Sequence, residues 1–253
     1  MDAFPYALTG PMSERALGMV VLQTDETIEQ DFRHLFTVDE TLIYTSRVPS
    51  GETVSPETLS QMETALSDAS DLLPKAARYD ALAYCCTSGT AMIGAARVAE
   101  LVSAPVGAVP VSTPLTAAVA ALHALGVKRL GIVSPYVPSV AVPIRTAFET
   151  AGFVVPQAVS FGEEVEANVV RIAADSIRDA ARVLAQENDL DALFLSCTNL
   201  RTLDVIDDLE AELGLPVVSS NQALAWHMAQ LAGISRLETP VGRLLKEMPA
   251  LGL

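Results

Sequence analysis

The sequence predicts an α/β protein of two doubly wound parallel-sheet lobes, related by a pseudo-twofold axis, with a site enclosed between them. Three observations lead there. Apolar runs of strand length alternate with amphipathic helical segments along the chain, the pattern of parallel sheets covered on both faces. Asp80-Ala81-Leu82-Ala83-Tyr84-Cys85-Cys86-Thr87-Ser88 can be laid over Asp191-Ala192-Leu193-Phe194-Leu195-Ser196-Cys197-Thr198-Asn199. Two further pairs keep nearly the same offset: Leu17-Gly18-Met19-Val20 with Leu130-Gly131-Ile132-Val133, and Pro105-Val106 with Pro216-Val217. Three matches in one order indicate an internal duplication.

Each half supplies its elements in the same sequence. Residues 17–22 form a continuous apolar run, and a helix follows from about Asp25 with Ile28, Phe32, Leu35 and Phe36 on one face. A strand at 41–45 precedes a helix near 56–73 that has Pro56 at its start. A short buried strand at 82–85 leads to a helix at 89–102. In the second half, strands are expected at 130–133, 153–159 and 192–195, with helices near 138–151, 167–186 and 202–213. Gly152 and Gly214 stand where helix C-caps belong. The first lobe is expected to comprise 1–112 plus about 222–253, the last helices packing back on it, and the second lobe 113–221. In such Rossmann-like sheets a ligand binds beyond the carboxyl ends of the strands, which is where Cys86 and Cys197 both stand.

Composition narrows the function. The chain has 253 residues, half of them apolar, enough for a full core. A net charge of −15 argues against nucleic acid or an anionic membrane as partner. Any carboxylate must therefore be held by local N–H and hydroxyl donors. No apolar run reaches the length of a membrane span, and residues 1–10 lack the look of a signal peptide, so a cytoplasmic protein is expected. Three cysteines are an odd number and are expected to be thiols in a reducing cytosol. His34, His123 and His227 are scattered with no metal-ligand spacing, and no Gly-x-Gly-x-x-Gly run follows a strand, so no metal or cofactor is expected.

Two thiols on opposite sides of a cleft suit a reaction in which one group takes a proton from one face and another delivers it to the other face. Thr87, Ser88, Thr198 and Asn199 would place donors beside them, stabilising an enolate-like transition state. A cysteine at the end of a buried strand is more often a packed residue. That reading fits Cys85, whose counterpart in the repeat is Ser196, better than it fits Cys86 or Cys197.

The segments Cys86-Thr87-Ser88-Gly89-Thr90 and Ser196-Cys197-Thr198-Asn199-Leu200 resemble the aspartate/glutamate racemase superfamily. Within it, the likeness is to the branch of maleate cis-trans isomerase, arylmalonate decarboxylase and the ectoine-utilisation proteins. It runs from Leu17 to Ser219-Ser220-Asn221-Gln222. The resemblance implies catalysis by Cys86 and Cys197, where Cys86 matches the isomerase nucleophile and the decarboxylase has glycine. It also implies that Tyr136 contacts substrate and that Asn168 binds a carboxylate; by residue type alone Tyr136 is equally a packing aromatic and Asn168 a surface polar group. At Asp25 the isomerase pattern has an asparagine. Asp25 either caps the following helix or meets substrate, where it would disfavour a second carboxylate and prefer a cation or hydroxyl. Gln23 and the 44–50 loop with Arg47 are further candidates for the pocket wall; Arg47 alone reads as a solvated surface charge.

The expected activity is thus a cofactor-independent two-cysteine isomerase or racemase on a small carboxylate, as a homo-oligomer, dimer or tetramer. The alternatives are an arylmalonate-type decarboxylase and a non-catalytic two-lobed binding protein. A binding protein needs no paired thiols. A thiol redox protein would use Cys-x-x-Cys, which is absent.

Overall fold

The computed structural model describes residues 3–10, 12–37, 39–53, 55–187 and 189–251. Two four-stranded parallel sheets carry the molecule. The first contains β1 (Arg15–Leu22), β2 (Thr41–Val48), β3 (Ala81–Cys85) and β4 (Val111–Ser112), in the order β2-β1-β3-β4. The second contains β5 (Leu130–Ser134), β6 (Ala158–Ser160), β7 (Ala192–Leu195) and β8 (Val217–Ser219), in the matching order β6-β5-β7-β8. Register repeats as well: Leu17 pairs with Ala81, and Leu130 with Ala192.

The repeat has physical causes at particular residues. A Cβ on Gly18 would lie 2.6 Å from Leu82, and one on Gly131 2.8 Å from Leu193, so both first strands need glycine where the neighbouring strand's leucine crosses. Each Asp-Ala-Leu aspartate ties down the start of the adjacent strand. Asp80 accepts the Ala16 N–H at 2.9 Å, and Asp191 accepts those of Lys128 and Arg129 at 2.8 Å.

The third sequence pair is corrected. Pro110, not Pro105, is the counterpart of Pro216: their carbonyls accept the N–H groups of Leu82 and Leu193, and β4 and β8 follow directly. Behind each of these strands stands a capping box, Thr113 with Thr116 and Ser219 with Gln222. They open α6 (Pro114–Ala124) and α11 (Ser220–Leu231).

The remaining helices are α1 (Ile28–Leu35), α2 (Pro56–Gln61), α3 (Leu66–Asp71), α4 (Thr87–Ile93), α5 (Ala95–Ser103), α7 (Pro138–Thr150), α8 (Glu166–Val169), α9 (Ala174–Glu187), α10 (Leu203–Leu213) and α12 (Gly242–Glu247). Three expected helices are divided. The 56–73 helix tightens into a 3₁₀ turn at Met62–Ala65, with Met62 buried. The 89–102 helix starts earlier and breaks at Gly94, whose φ of +93° no helix accommodates. The 167–186 helix breaks between α8 and α9, which frees Glu166 to point inward. The 153–159 strand shrinks to β6, because Pro156 has no N–H to give a ladder and Val154 makes only one bridge, to Arg129.

The helices after the fourth strands are exchanged. Although α6 follows β4, it packs on β8, α4 and α11. Although α11 follows β8, it packs on β3, β4 and α1 as well as β8. Both are covered on several sides: α6 is apolar nearly all round, whereas α11 buries Ser220, Asn221 and Gln222 together with its apolar residues.

Candidate active site

The carboxyl ends of both sheets converge. Beyond β3, Cys86 takes an extended backbone and serves as N-cap of α4, its Sγ accepting the Gly89 N–H at 3.2 Å and lying 3.5 Å from the Ser88 hydroxyl. A Cβ at Gly89 would stand 2.3 Å from the Tyr84 hydroxyl and 3.1 Å from Cys86 Sγ, so only glycine lets this donor approach the thiol. Beyond β7, Cys197 has φ +112°, a strained value for a residue with a Cβ that costs about 1–3 kcal/mol. Its N–H is held by Ser220 Oγ at 3.0 Å, and its Sγ is hydrogen-bonded by the Tyr136 hydroxyl and the Asn199 N–H. Tyr136 is presented by the turn after β5, where the Ser160 hydroxyl donates to the Tyr136 carbonyl.

Both thiols are buried and line one small cavity of about 20 Å³, little more than one water needs. Ser88, Thr198, Tyr136 and Glu166 share its wall, with Thr24, Ser50, Thr53 and Met62 on the side of the first sheet. Beside the cavity Thr53 bridges to Val165, and the Glu166 N–H donates to the Glu52 carbonyl at 3.0 Å.

Burial pushes the Cys86 thiol up to about 11, although the Ser88 hydroxyl and Gly89 N–H favour its thiolate. Burial, and then the charge of Glu166, raise Cys197 well above its ordinary value, against the Tyr136 and Asn199 donors.

The polar residues around the thiols bind the two halves together. Ser220 Oγ lies 2.8 Å from Thr87 Oγ1, and Thr198 Oγ1 donates to the Cys85 carbonyl at 3.2 Å. Asn199, wholly buried, accepts the Glu26 N–H at 2.8 Å and donates to Glu166 Oε1 at 3.0 Å; Thr27 Oγ1 donates to its carbonyl. Thr87 and Asn199 are therefore used in holding the site, whereas Ser88, Thr198 and Tyr136 face the cavity.

Three expected pocket residues are placed elsewhere. Gln23 is exposed, its backbone spent on Val48 and Arg47. Asn168 is exposed and donates to Glu163, because the turn of α8 that buries Glu166 turns Asn168 outward. Asp25 is buried but absent from the cavity wall, and Oδ1 accepts the N–H groups of Thr27 and Ile28 at 2.8 and 2.9 Å, at the start of α1. Its Oδ2 has no hydrogen-bond partner among the described residues, and burial raises the Asp25 pKa. Arg47 does not line the cavity either: its guanidinium donates to the carbonyls of Leu22, Gln23 and Asp25 and pairs with Glu29.

Glu166 was hidden in the sequence by the acidic run Glu163-Glu164-Val165-Glu166, which reads as a solvated face. Asp31 is a half-buried acid behind the site, accepting from Asn221 Nδ2 at 2.7 Å and raised by desolvation to about 7. The folded chain thus holds a proton on Asp31 that the unfolded chain, near 3.8, has lost. Its stabilising contribution is present below about pH 4 and is lost as pH rises through 7, by at most about 1.4 kcal/mol per pH unit. Asp31→Asn should flatten the fall in Tm between pH 5 and 8 measured by thermal melts. An unchanged slope would show that Asp31 is ionised throughout.

A profile of the arylmalonate decarboxylase family matches residues 51–245. The chain is 33% identical over 140 residues to arylmalonate decarboxylase from Bordetella bronchiseptica, a stretch covering 54% of this chain and 58% of that enzyme. It is 26% identical over 249 residues to a maleate isomerase from Nocardia farcinica, covering 93% of this chain and 97% of the other. The solved structure of a Cys-to-Ser mutant of the Nocardia farcinica maleate cis-trans isomerase, with a covalently bound succinylcysteine intermediate, superposes with a TM-score of 0.79 at 25% identity. It covers 92% of this chain and 98% of that one.

Proposed function

The chain belongs to the arylmalonate decarboxylase family, and from that premise we propose that it is a cofactor-independent isomerase working on a small carboxylate with Cys86 and Cys197. The observation that carries this reading is the pair of thiols from equivalent strand ends lining one cavity. A decarboxylase needs one proton donor; a second thiol on the far wall adds either a nucleophile or a second proton-transfer group. The covalent succinylcysteine of the Nocardia relative supports the same chemistry.

On an activated alkene, the Cys86 thiolate forms a C–S bond at one alkene carbon. The displaced π pair moves toward the carboxylate and takes a proton from Cys197 at the other carbon. Rotation about the single bond follows. Cys197 then withdraws the proton, the C–S bond breaks, and Cys86 leaves as thiolate. On a saturated acid, one thiolate takes the α-proton while the other thiol delivers one from the opposite face. Tyr136 and the Asn199 N–H stabilise charge on Cys197, and the Gly89 N–H and Ser88 hydroxyl do so on Cys86. We further propose a cytoplasmic homo-oligomer, dimer or tetramer, with Ser88, Thr198 and Tyr136 contacting substrate.

Proton NMR in heavy water tests the activity. Metal-free protein should isomerise, racemise or deuterate at least one small carboxylate from a panel of maleate, malonates and amino acids. Release of carbon dioxide from an arylmalonate, with no isomerised or exchanged product from any acid, would make the chain a decarboxylase instead.

A further inference from the structure

Resting on the isomerase reading above, we propose that Glu166 sets the substrate class: its carboxylate receives the protonated amine of a small monocarboxylate bound between the thiols. Glu166 is 6% exposed and lines the cavity together with Cys86 and Cys197. Its Oε1 is held by Asn199 at 3.0 Å, and Asn199 is itself fixed by the Glu26 N–H, so the carboxylate cannot swing away. No described residue donates to Oε2, which leaves that oxygen for a ligand.

No Lys, Arg or His stands among the cavity-lining residues. Arg47 is bound to three carbonyls and Glu29, and Arg171 pairs at 3.6 Å with Glu26 at the surface. Hydroxyl and N–H donors around the thiols suffice for one carboxylate. A second one would meet Glu166 with no cation between them, and like charges in a dry cleft repel strongly. An ammonium would instead complete an ion pair with Oε2. Burial raises Glu166 to about 7, so at neutral pH an arriving cation would stabilise the ionised form. The preference for a cation that one reading assigns to Asp25 thus falls to Glu166, the acid that reaches the cavity.

The test reads occupancy rather than turnover. Protection of Cys86 and Cys197 from iodoacetamide, followed by mass spectrometry on the whole protein, is measured with alanine, 2-aminobutyrate and 4-aminobutyrate against maleate and methylsuccinate. At least one amino acid should protect at a concentration at least tenfold lower than either dicarboxylate. Glu166→Gln keeps an oxygen for Asn199 but no charge, and should reduce that preference at least tenfold. Glu166→Asp keeps the charge and should keep the sign of the preference, which guards against a misfolded Gln protein. Equal protection by both sets, protection by neither, or an unchanged preference in Glu166→Gln overturns the proposal. Complete lack of exchange or isomerisation by the natural protein, with amino-acid protection intact, would instead sink the isomerase reading and leave the binding preference standing.

Discussion

Replacing Cys86 or Cys197 with Ser should lower kcat/KM by about three orders of magnitude or more, because a hydroxyl is barely ionised at neutral pH and makes a poor nucleophile. The surroundings make the demand severe. Burial pushes Cys86 up to about 11 despite its hydrogen-bond donors, and it raises Cys197 well above its ordinary value as well. Serine in either place would not ionise at all in this buried wall. Cys85→Ser is the control. Cys85 lies wholly buried on β3, away from the cavity wall, and only its carbonyl takes part, through Thr198. That variant should keep most activity while losing about 1–3 kcal/mol of stability for a buried hydroxyl. Steady-state kinetics on one accepted substrate decides the matter. Near-normal turnover by Cys197→Ser would reduce the chemistry to one thiol.

Asn199→Ala should destabilise the protein by about 2–5 kcal/mol, since two buried groups lose their partners together. The Glu26 N–H would have no acceptor, and Glu166 Oε1 no donor. Thr27 would keep its bond to the backbone carbonyl of residue 199, so the loss isolates the side chain. Urea unfolding should show a lower midpoint at unchanged slope. A change below about 1 kcal/mol would mean that the clamp between α1, α8 and the Cys197 turn does not persist in solution.

Much of the fold was legible because strand-length apolar runs and a repeated Asp-Ala-Leu are local signals. β4 and β8 were not recognised, being two or three residues long, too short to display a pattern. Without them the prolines were paired wrongly, at Pro105 instead of Pro110. α6 escaped for the opposite reason: buried on several sides, it has no polar face to set a period. At the site, the repeat separated Cys86 from Cys85, and residue chemistry pointed to Ser88, Thr198 and Tyr136, which all reach the cavity. Asn168 and Glu166 could not be told apart without the bridge that α8 makes to Glu52 and Thr53, because that contact spans more than a hundred residues. Asp25 has two readings in the sequence; in the fold its Oδ1 accepts the N–H groups of Thr27 and Ile28 at the start of α1, as a helix cap does.

The exchanged helices have a consequence for ancestry. A chain cut between α6 and β5 would yield two pieces, each with part of its sheet covered by a helix belonging to the other. The half-length precursor implied by the repeat must then have worked as a pair of identical copies, neither with a cleft of its own. Such a pair presents the same thiol in the same setting to both faces of its substrate. Fusion removed that obligation. In the present chain Cys86 rests in an extended N-cap and Cys197 in a strained left-handed turn, so the two repeats now hold their thiols in unequal settings.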